Sequence, residues 1–155
     1  MGRGMRKLSR FGYVMLGELA TTRLFYAVHR AVYRLSRGRI FRRSLGCPVV
    51  LLTTMGRKSG KPHTAPIFGF QDGSSVVVVP SNAGKEHDPS WYLNLRANPE
   101  AQIQVGNEIR RVRAREATLQ ERERLWPFLV SQYGGYEVYR QRTVRQFPVL
   151  ILDPV

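Results

Sequence analysis

The chain has 155 residues, enough for one domain with a real core, and its 43% hydrophobic and 23% charged content excludes a disordered chain. Lys and Arg number 25 against 11 Asp and Glu, a formal charge of +14 that attracts anions, whether nucleic acid, an acidic membrane or a polyanionic small molecule. One cysteine, Cys47, excludes an intramolecular disulfide, and with three His in all it argues against a Cys/His zinc cage.

The charge sits at the front. Residues 1–45 hold 11 basic residues (Arg3, Arg6, Lys7, Arg10, Arg23, Arg30, Arg34, Arg37, Arg39, Arg42, Arg43) and one acid, Glu18, so this segment carries +10 of the +14. The composition divides the chain into a basic helical segment, 1–45, and a compact domain, 46–155. Arg23, Arg30, Arg34 and Arg37 fall on one stripe of a predicted helix, with Leu24, Phe25, Val28, Ala31, Val32 and Leu35 on the other side. Tyr26 and Tyr33 flank the stripe. Either the apolar face covers the rest of the domain, or residues 19–37 dock on anionic lipid. Charges interrupt the segment too often for a transmembrane span. The apolar run Phe11 to Gly17 is short and ends at Glu18, which fits a signal peptide poorly. The expected location is cytoplasmic, with the helix able to hold the chain at the inner face of the membrane.

From residue 48 short strands alternate with turns. Pro48 to Thr54 is β-branched and apolar and predicts a first strand; His63 to Phe70 predicts a second. Asp72-Gly73 is a hairpin turn leading to a strand over Val76 to Val79. Pro89 to Ala97 predicts a helix with Asp88 as N-cap and Pro89 in the first position. Ala101 to Val105 and Val112 to Arg115 alternate strictly around Gly106-Asn107. Thr118-Leu-Gln-Glu121 is a capping box, and Pro127 should kink or divide the helix it opens. Pro148 to Leu152 closes the chain as a last strand. About six strands with peripheral helices predict an α+β fold built on a small barrel.

Gly56-Arg-Lys-Ser-Gly-Lys-Pro62 invites a phosphate-loop reading but is not a Walker loop: three residues separate its glycines, and Pro62 follows the Lys. Its glycines still admit close backbone approach, and Arg57, Lys58 and Lys61 can pair with phosphate or carboxylate. A solvated basic hairpin would have the same composition.

Four runs resemble the deazaflavin-dependent nitroreductases, also called F420H2-dependent quinone reductases. They are Leu51-Leu-Thr-Thr-Met-Gly-Arg-Lys-Ser-Gly-Lys-Pro62, Pro80-Ser-Asn-Ala-Gly84, Pro89-Ser-Trp-Tyr-Leu-Asn-Leu-Arg-Ala-Asn-Pro99 and Tyr133-Gly-Gly-Tyr-Glu-Val-Tyr139. The resemblance spans residues 48–154. It implies a split β-barrel, coenzyme F420 as cofactor, and hydride transfer to quinones, nitroaromatics or similar acceptors. By the same resemblance Arg57, Lys58, Ser59 and Gly60 match the loop for the cofactor's phosphate and tail. His63 stands where many members have Arg, and Asn82 where some have Lys. Pro66, Phe68, Pro80, Ser81 and Trp91 match positions around the deazaflavin. Phe68, Tyr133, Tyr136 and Tyr139 match the substrate pocket, Phe68 replacing a Tyr of close relatives. Tyr133, Tyr136 and Ser81 are the candidate proton donors to the acceptor oxygen. No metal is implied.

Two other readings stay open. One is an FMN-binding split-barrel protein or a non-catalytic deazaflavin carrier. The other is a basic nucleic-acid-binding module, although no aromatic-basic recognition pattern is present.

Overall fold

A computed structural model describes residues 8–155. Arg3, Arg6 and Lys7 of the basic segment lie outside the described residues. Two helices come first, α1 (Arg10–Ala20) and α2 (Arg23–Leu35). Ser9 Oγ caps α1 by accepting from the Gly12 N–H, and Thr22 Oγ1 caps α2 by accepting from the Phe25 N–H. The predicted stripe is shortened at its end: α2 stops at Leu35, and Arg37 turns into the left-handed region at φ 52°. There the Gly38 N–H reaches back to the Tyr33 carbonyl and the Arg37 N–H to that of Arg34. This pairing closes a helix end and stops its continuation.

The remaining elements are β1 (Arg43–Ser44), β2 (Cys47–Met55), β3 (Pro62–Phe68), β4 (Phe70–Asp72), β5 (Ser75–Val78), α3 (Ser90–Ala97), β6 (Glu100–Val105), β7 (Glu108–Glu116), α4 (Leu119–Gln132), α5 (Gly135–Arg140) and β8 (Leu150–Pro154). Every strand pair is antiparallel. The ladder runs β1-β2-β6-β7-β8-β5-β4, with β3 on β2. The α+β split barrel is therefore present. Where the sequence predicts about six strands there are eight, because the two-residue β1 is added and the strand predicted over His63–Phe70 divides at Gly69.

That division closes the barrel. The first half, β3, pairs with β2, and the second half, β4, pairs with β5 at the far end of the ladder. A Cβ on residue 69 would lie 2.8 Å from Val50 and 2.9 Å from Val76, so only glycine lets the strand cross so close to both neighbours. The strands alternate between two covered faces. Val50, Leu52, Val76, Val78, Leu150 and Leu152 point into the barrel with Trp91, Tyr92 and Leu95 of α3. Val77, Val79, Val149 and Ile151 point outward, under α1, α4 and α5. Burial on both faces explains why these strands read as continuous apolar runs.

Two further expectations change. Pro89, not Asp88, occupies the N-cap of α3, and no side chain caps that helix. Asp88 is instead paired with Arg145 at 2.7 Å. The capping box at Thr118 and Glu121 forms, but α4 runs undivided through Pro127. Pro127 lies on the exposed face, so the Glu123 carbonyl it leaves without a helical partner faces solvent, while Leu125 and Leu129 are buried beneath.

The N-terminal helices pack on the barrel. Tyr33 is wholly buried against Val49 and Leu51. Its hydroxyl donates to the Val49 carbonyl at 3.2 Å and accepts from the Gly106 N–H at 2.8 Å. The face that docks is the tyrosine edge, Tyr26, His29 and Tyr33, while Leu24, Val28 and Leu35 point away at 75%, 51% and 86% exposure. Tyr33→Phe should cost about 1–3 kcal/mol, because it strands a buried N–H and a buried carbonyl. The loss is read as a lower urea midpoint at unchanged slope; an unchanged midpoint would show that Tyr33 does not anchor α2.

Candidate active site

Two hollows of opposite character meet at one place. The first is an apolar cavity of about 200 Å³ between the barrel and α1, α2 and α5. The second is a basic groove of about 850 Å³ between the loop after β2 and α2. Thr21, Tyr26, Asn82, Pro89 and Trp91 line both, so the two adjoin along one wall.

Of the residues predicted from sequence, Pro66, Phe68, Ser81, Asn82, Trp91, Tyr133, Tyr136 and Tyr139 line the apolar cavity. Arg57, Lys58, Ser59 and His63, with Asn82 and Trp91, line the basic groove. Gly60 and Pro80 line neither. Gly60 turns the loop at φ 64°, its N–H bonded to the Gly56 carbonyl, and the Pro80 carbonyl accepts from Arg145. Trp91 is both core and wall: it is 6% exposed within the barrel cluster.

The basic loop is held from below. Asn94 Oδ1 accepts from the Arg57 N–H at 3.1 Å and from its guanidinium at 3.3 Å, while Asn94 Nδ2 donates to Thr54 Oγ1. Ser59 Oγ and His63 Nε2 share a hydrogen bond of 3.0 Å. Around the groove stand Arg23, Arg30, Arg57, Lys58 and Lys85, against one carboxylate, Asp88. Asp88 is already paired with Arg145. A groove so lined concentrates anions.

The segment between the hollows is strained. Asn82 and Ala83 take left-handed backbone at φ 46° and 54°, ahead of Gly84 at 76°. For residues with a Cβ this costs on the order of 1 kcal/mol each. Arg145 offsets it: the guanidinium donates to the carbonyls of Pro80, Ser81 and Lys85 and pairs with Asp88. The Asn82 amide donates to the His87 carbonyl at 2.9 Å.

The tyrosine cluster is ordered by its hydroxyls. Tyr139 Oη donates to the Tyr13 carbonyl of α1 at 2.9 Å, and the Tyr133 hydroxyl lies 2.8 Å from Tyr139 Oη. With the Tyr139 proton committed to α1, Tyr133 is the donor of that pair. Tyr136 and Ser81 differ: neither hydroxyl makes a hydrogen bond among the described residues. Burial pushes the Tyr136 phenol well above its ordinary range, so it stays protonated at physiological pH. Ring contacts fix the cluster, with Tyr133 edge-on to Phe68 at 4.9 Å and to Tyr136 at 5.2 Å.

Sequence reasoning missed part of the walls. Arg23 and Arg30 were legible as part of one helix stripe flanked by Tyr26, but nothing in the pattern placed these residues on the groove. Lys85 follows the Pro80–Gly84 run directly and lines the groove. Its ammonium donates to Thr21 Oγ1 at 2.8 Å and pairs with Glu18 at 3.3 Å.

Comparison with known proteins finds relatives of the chain as a whole. The model of the F420H(2)-dependent quinone reductases matches residues 25–154. A Mycobacterium tuberculosis protein named as a candidate F420H(2)-dependent quinone reductase is 43% identical over 107 residues, covering 69% of this chain and 90% of that protein. A second from the same organism, named F420H(2)-dependent quinone reductase, is 36% identical over 129 residues, covering 81% and 87%. The solved structure of the F420-H2 dependent reductase FDR-A is 37% identical with a TM-score of 0.63, covering 68% of this chain and 94% of that one.

Arg145→Gln should destabilise the chain by roughly 3 kcal/mol, since it leaves the part-buried Asp88 without its partner. It should also speed amide exchange at Asn82, Ala83 and Gly84. Unchanged exchange there would mean that the strained turn holds itself.

Proposed function

The chain belongs to the F420H(2)-dependent quinone reductase family, oxidoreductases that use coenzyme F420, and on that premise we propose that it reduces a quinone-like or nitroaromatic acceptor in the apolar cavity. The observation that carries this is the junction of the two hollows at Asn82, Pro89 and Trp91. An apolar site adjoining a basic groove suits a molecule that has a flat ring at one end and an anionic tail at the other. Arg57, Lys58 and Ser59, with His63, would hold the tail. Pro66, Phe68, Ser81 and Trp91 would flank the ring. Bound F420H2 supplies the hydride.

The chain's own contribution is orientation, exclusion of water and a proton. As the acceptor is reduced, negative charge grows on its oxygen. The Tyr136 hydroxyl and Ser81 Oγ are the donors left free to meet that charge. Tyr133, whose proton is given to Tyr139, shapes the wall and ties the end of α4 to α5, while Tyr139 ties α5 to α1. A charge-assisted bond from Tyr136 or Ser81 would contribute about 1.5–3 kcal/mol, or about 10–100-fold in turnover.

Tyr136→Phe and Ser81→Ala should each lower kcat with menadione while leaving the dissociation constant for oxidised F420 within about twofold. Lys58→Ala should do the reverse, weakening F420 binding about tenfold at nearly unchanged kcat. Full turnover in the Tyr136→Phe/Ser81→Ala double variant would remove both hydroxyls from the reaction. Stronger binding of FMN than of F420 would favour the flavin-binding alternative.

A second reading concerns location. Phe11, Met15 and Leu19 of α1 are 73%, 56% and 56% exposed, and Leu24, Val28 and Leu35 of α2 are exposed too, within the arginine-rich residues 10–43. Leu19 and its neighbours Leu16 and Phe25 also line the acceptor cavity. This supports a face that rests on an anionic bilayer, where lipid-soluble quinones are concentrated. No helix is long and apolar enough to cross a membrane among the described residues. The protein should pellet with vesicles containing phosphatidylglycerol at low salt and release as salt rises. Leu24→Gln/Leu35→Gln should abolish pelleting without changing the melting temperature; pelleting that persists would place the contact elsewhere.

A further inference from the structure

We propose that α2 is the second wall of the anion groove, and that Arg23 and Arg30 grip the cofactor's anionic tail from the side opposite Arg57 and Lys58. The inference rests on the reading that F420 occupies this groove. It concerns residues outside the loop that marks the family, and Arg23 lies outside the matched span of 25–154 altogether.

The placement comes from helix geometry. Arg23, Tyr26, Ala27 and Arg30 recur at i, i+3, i+4 and i+7, and all four line the groove. Tyr26 also lines the apolar cavity, so this face of α2 runs from the ring site into the basic region. Its position is fixed. Tyr33 anchors one end of the helix in the core, and the Arg34 guanidinium donates to Thr64 Oγ1 on β3 at 3.1 Å.

The partners of the arginines separate two groups. Arg115, Arg122, Arg124, Arg142 and Arg145 each bond a carboxylate or carbonyl. Arg23 and Arg30 bond nothing among the described residues, yet they border the same groove as Arg57, Lys58 and Lys85. Like charges facing each other across a groove repel. A polyanion lying between them turns that repulsion into attraction on both sides, and a planar guanidinium can meet phosphate or carboxylate with two parallel N–H bonds. A chain with several anionic groups, a phosphodiester followed by carboxylates, fits this two-sided arrangement better than a single ion does.

The test is a fluorescence titration of oxidised F420 and of the tail-less deazaflavin, which keeps the ring and ribityl chain but lacks the phosphate and glutamates. Arg23→Gln/Arg30→Gln should raise the dissociation constant for F420 about tenfold or more and leave that for the tail-less compound unchanged. The dependence of log Kd on log salt should become shallower, and Arg30→Lys should recover part of the affinity. The double variant should still pellet with phosphatidylglycerol vesicles. Equal F420 affinity in wild type and double variant overturns the proposal, as does an equal loss for the tail-less compound. Intact F420 affinity with lost vesicle binding also overturns it and assigns the two arginines to lipid headgroups. If the wild-type protein bound no F420, the proposed function itself would fall, and the clamp with it.

Discussion

One strand serves both ends of the sheet because position 69 carries no side chain. Gly69 passes between Val50 and Val76 at distances that exclude a Cβ, and its N–H bonds to the Pro48 carbonyl. The two halves of that strand then pair with β2 on one side and β5 on the other. Closure brings Pro66 and Phe68 alongside Val79 and Ser81, residues 11 or more positions away in sequence, on the wall of one cavity. A side chain at 69 would force the strand ends apart and open that wall.

The second constraint is how the helices meet the barrel. The Tyr33 hydroxyl serves a carbonyl on β2 and an N–H in the β6–β7 turn, so α2 has one register on the barrel. At α1, a Cβ on Gly17 would lie 2.5 Å from Tyr139 Oη, so glycine lets this helix approach α5 closely enough for Tyr139 to bond the Tyr13 carbonyl. The same contacts that hold the helices therefore roof the cavity, commit the hydroxyls of Tyr133 and Tyr139, and leave that of Tyr136 available. One network therefore holds the helices and sets which tyrosine hydroxyls are engaged.

Strain is concentrated where the hollows join. A left-handed run at Asn82 and Ala83 is unfavourable by itself, and it persists because Arg145 satisfies three carbonyls around it. The turn places Ser81 and Asn82 on the cavity and Lys85 on the groove. Glu18, the one acid of the basic segment, bridges Lys85 and Arg142, so it joins α1 to this turn and to the chain after α5.

Much of the barrel was legible in the sequence. Alternation marked β6 and β7, Asp72-Gly73 marked a hairpin, and Thr118 and Glu121 marked the start of α4, while the composition of the loop at Arg57 and Lys58 fitted a solvated basic hairpin as well as an anion site. These signals are local: each depends on backbone geometry or capping within a few residues. The division at Gly69, the ion pair of Asp88 and the passage of α4 through Pro127 were not legible, because each is set by a neighbour distant in sequence or by which side of a helix meets solvent. For α2 the periodicity established the angles between its arginines, leucines and tyrosines. It could not say which angle faces the barrel. Apolar content favoured Leu24, Val28 and Leu35, but the tertiary structure docked the tyrosine edge instead. Only that edge could satisfy the buried backbone groups at Val49 and Gly106, and satisfying them turned Arg23 and Arg30 toward the groove.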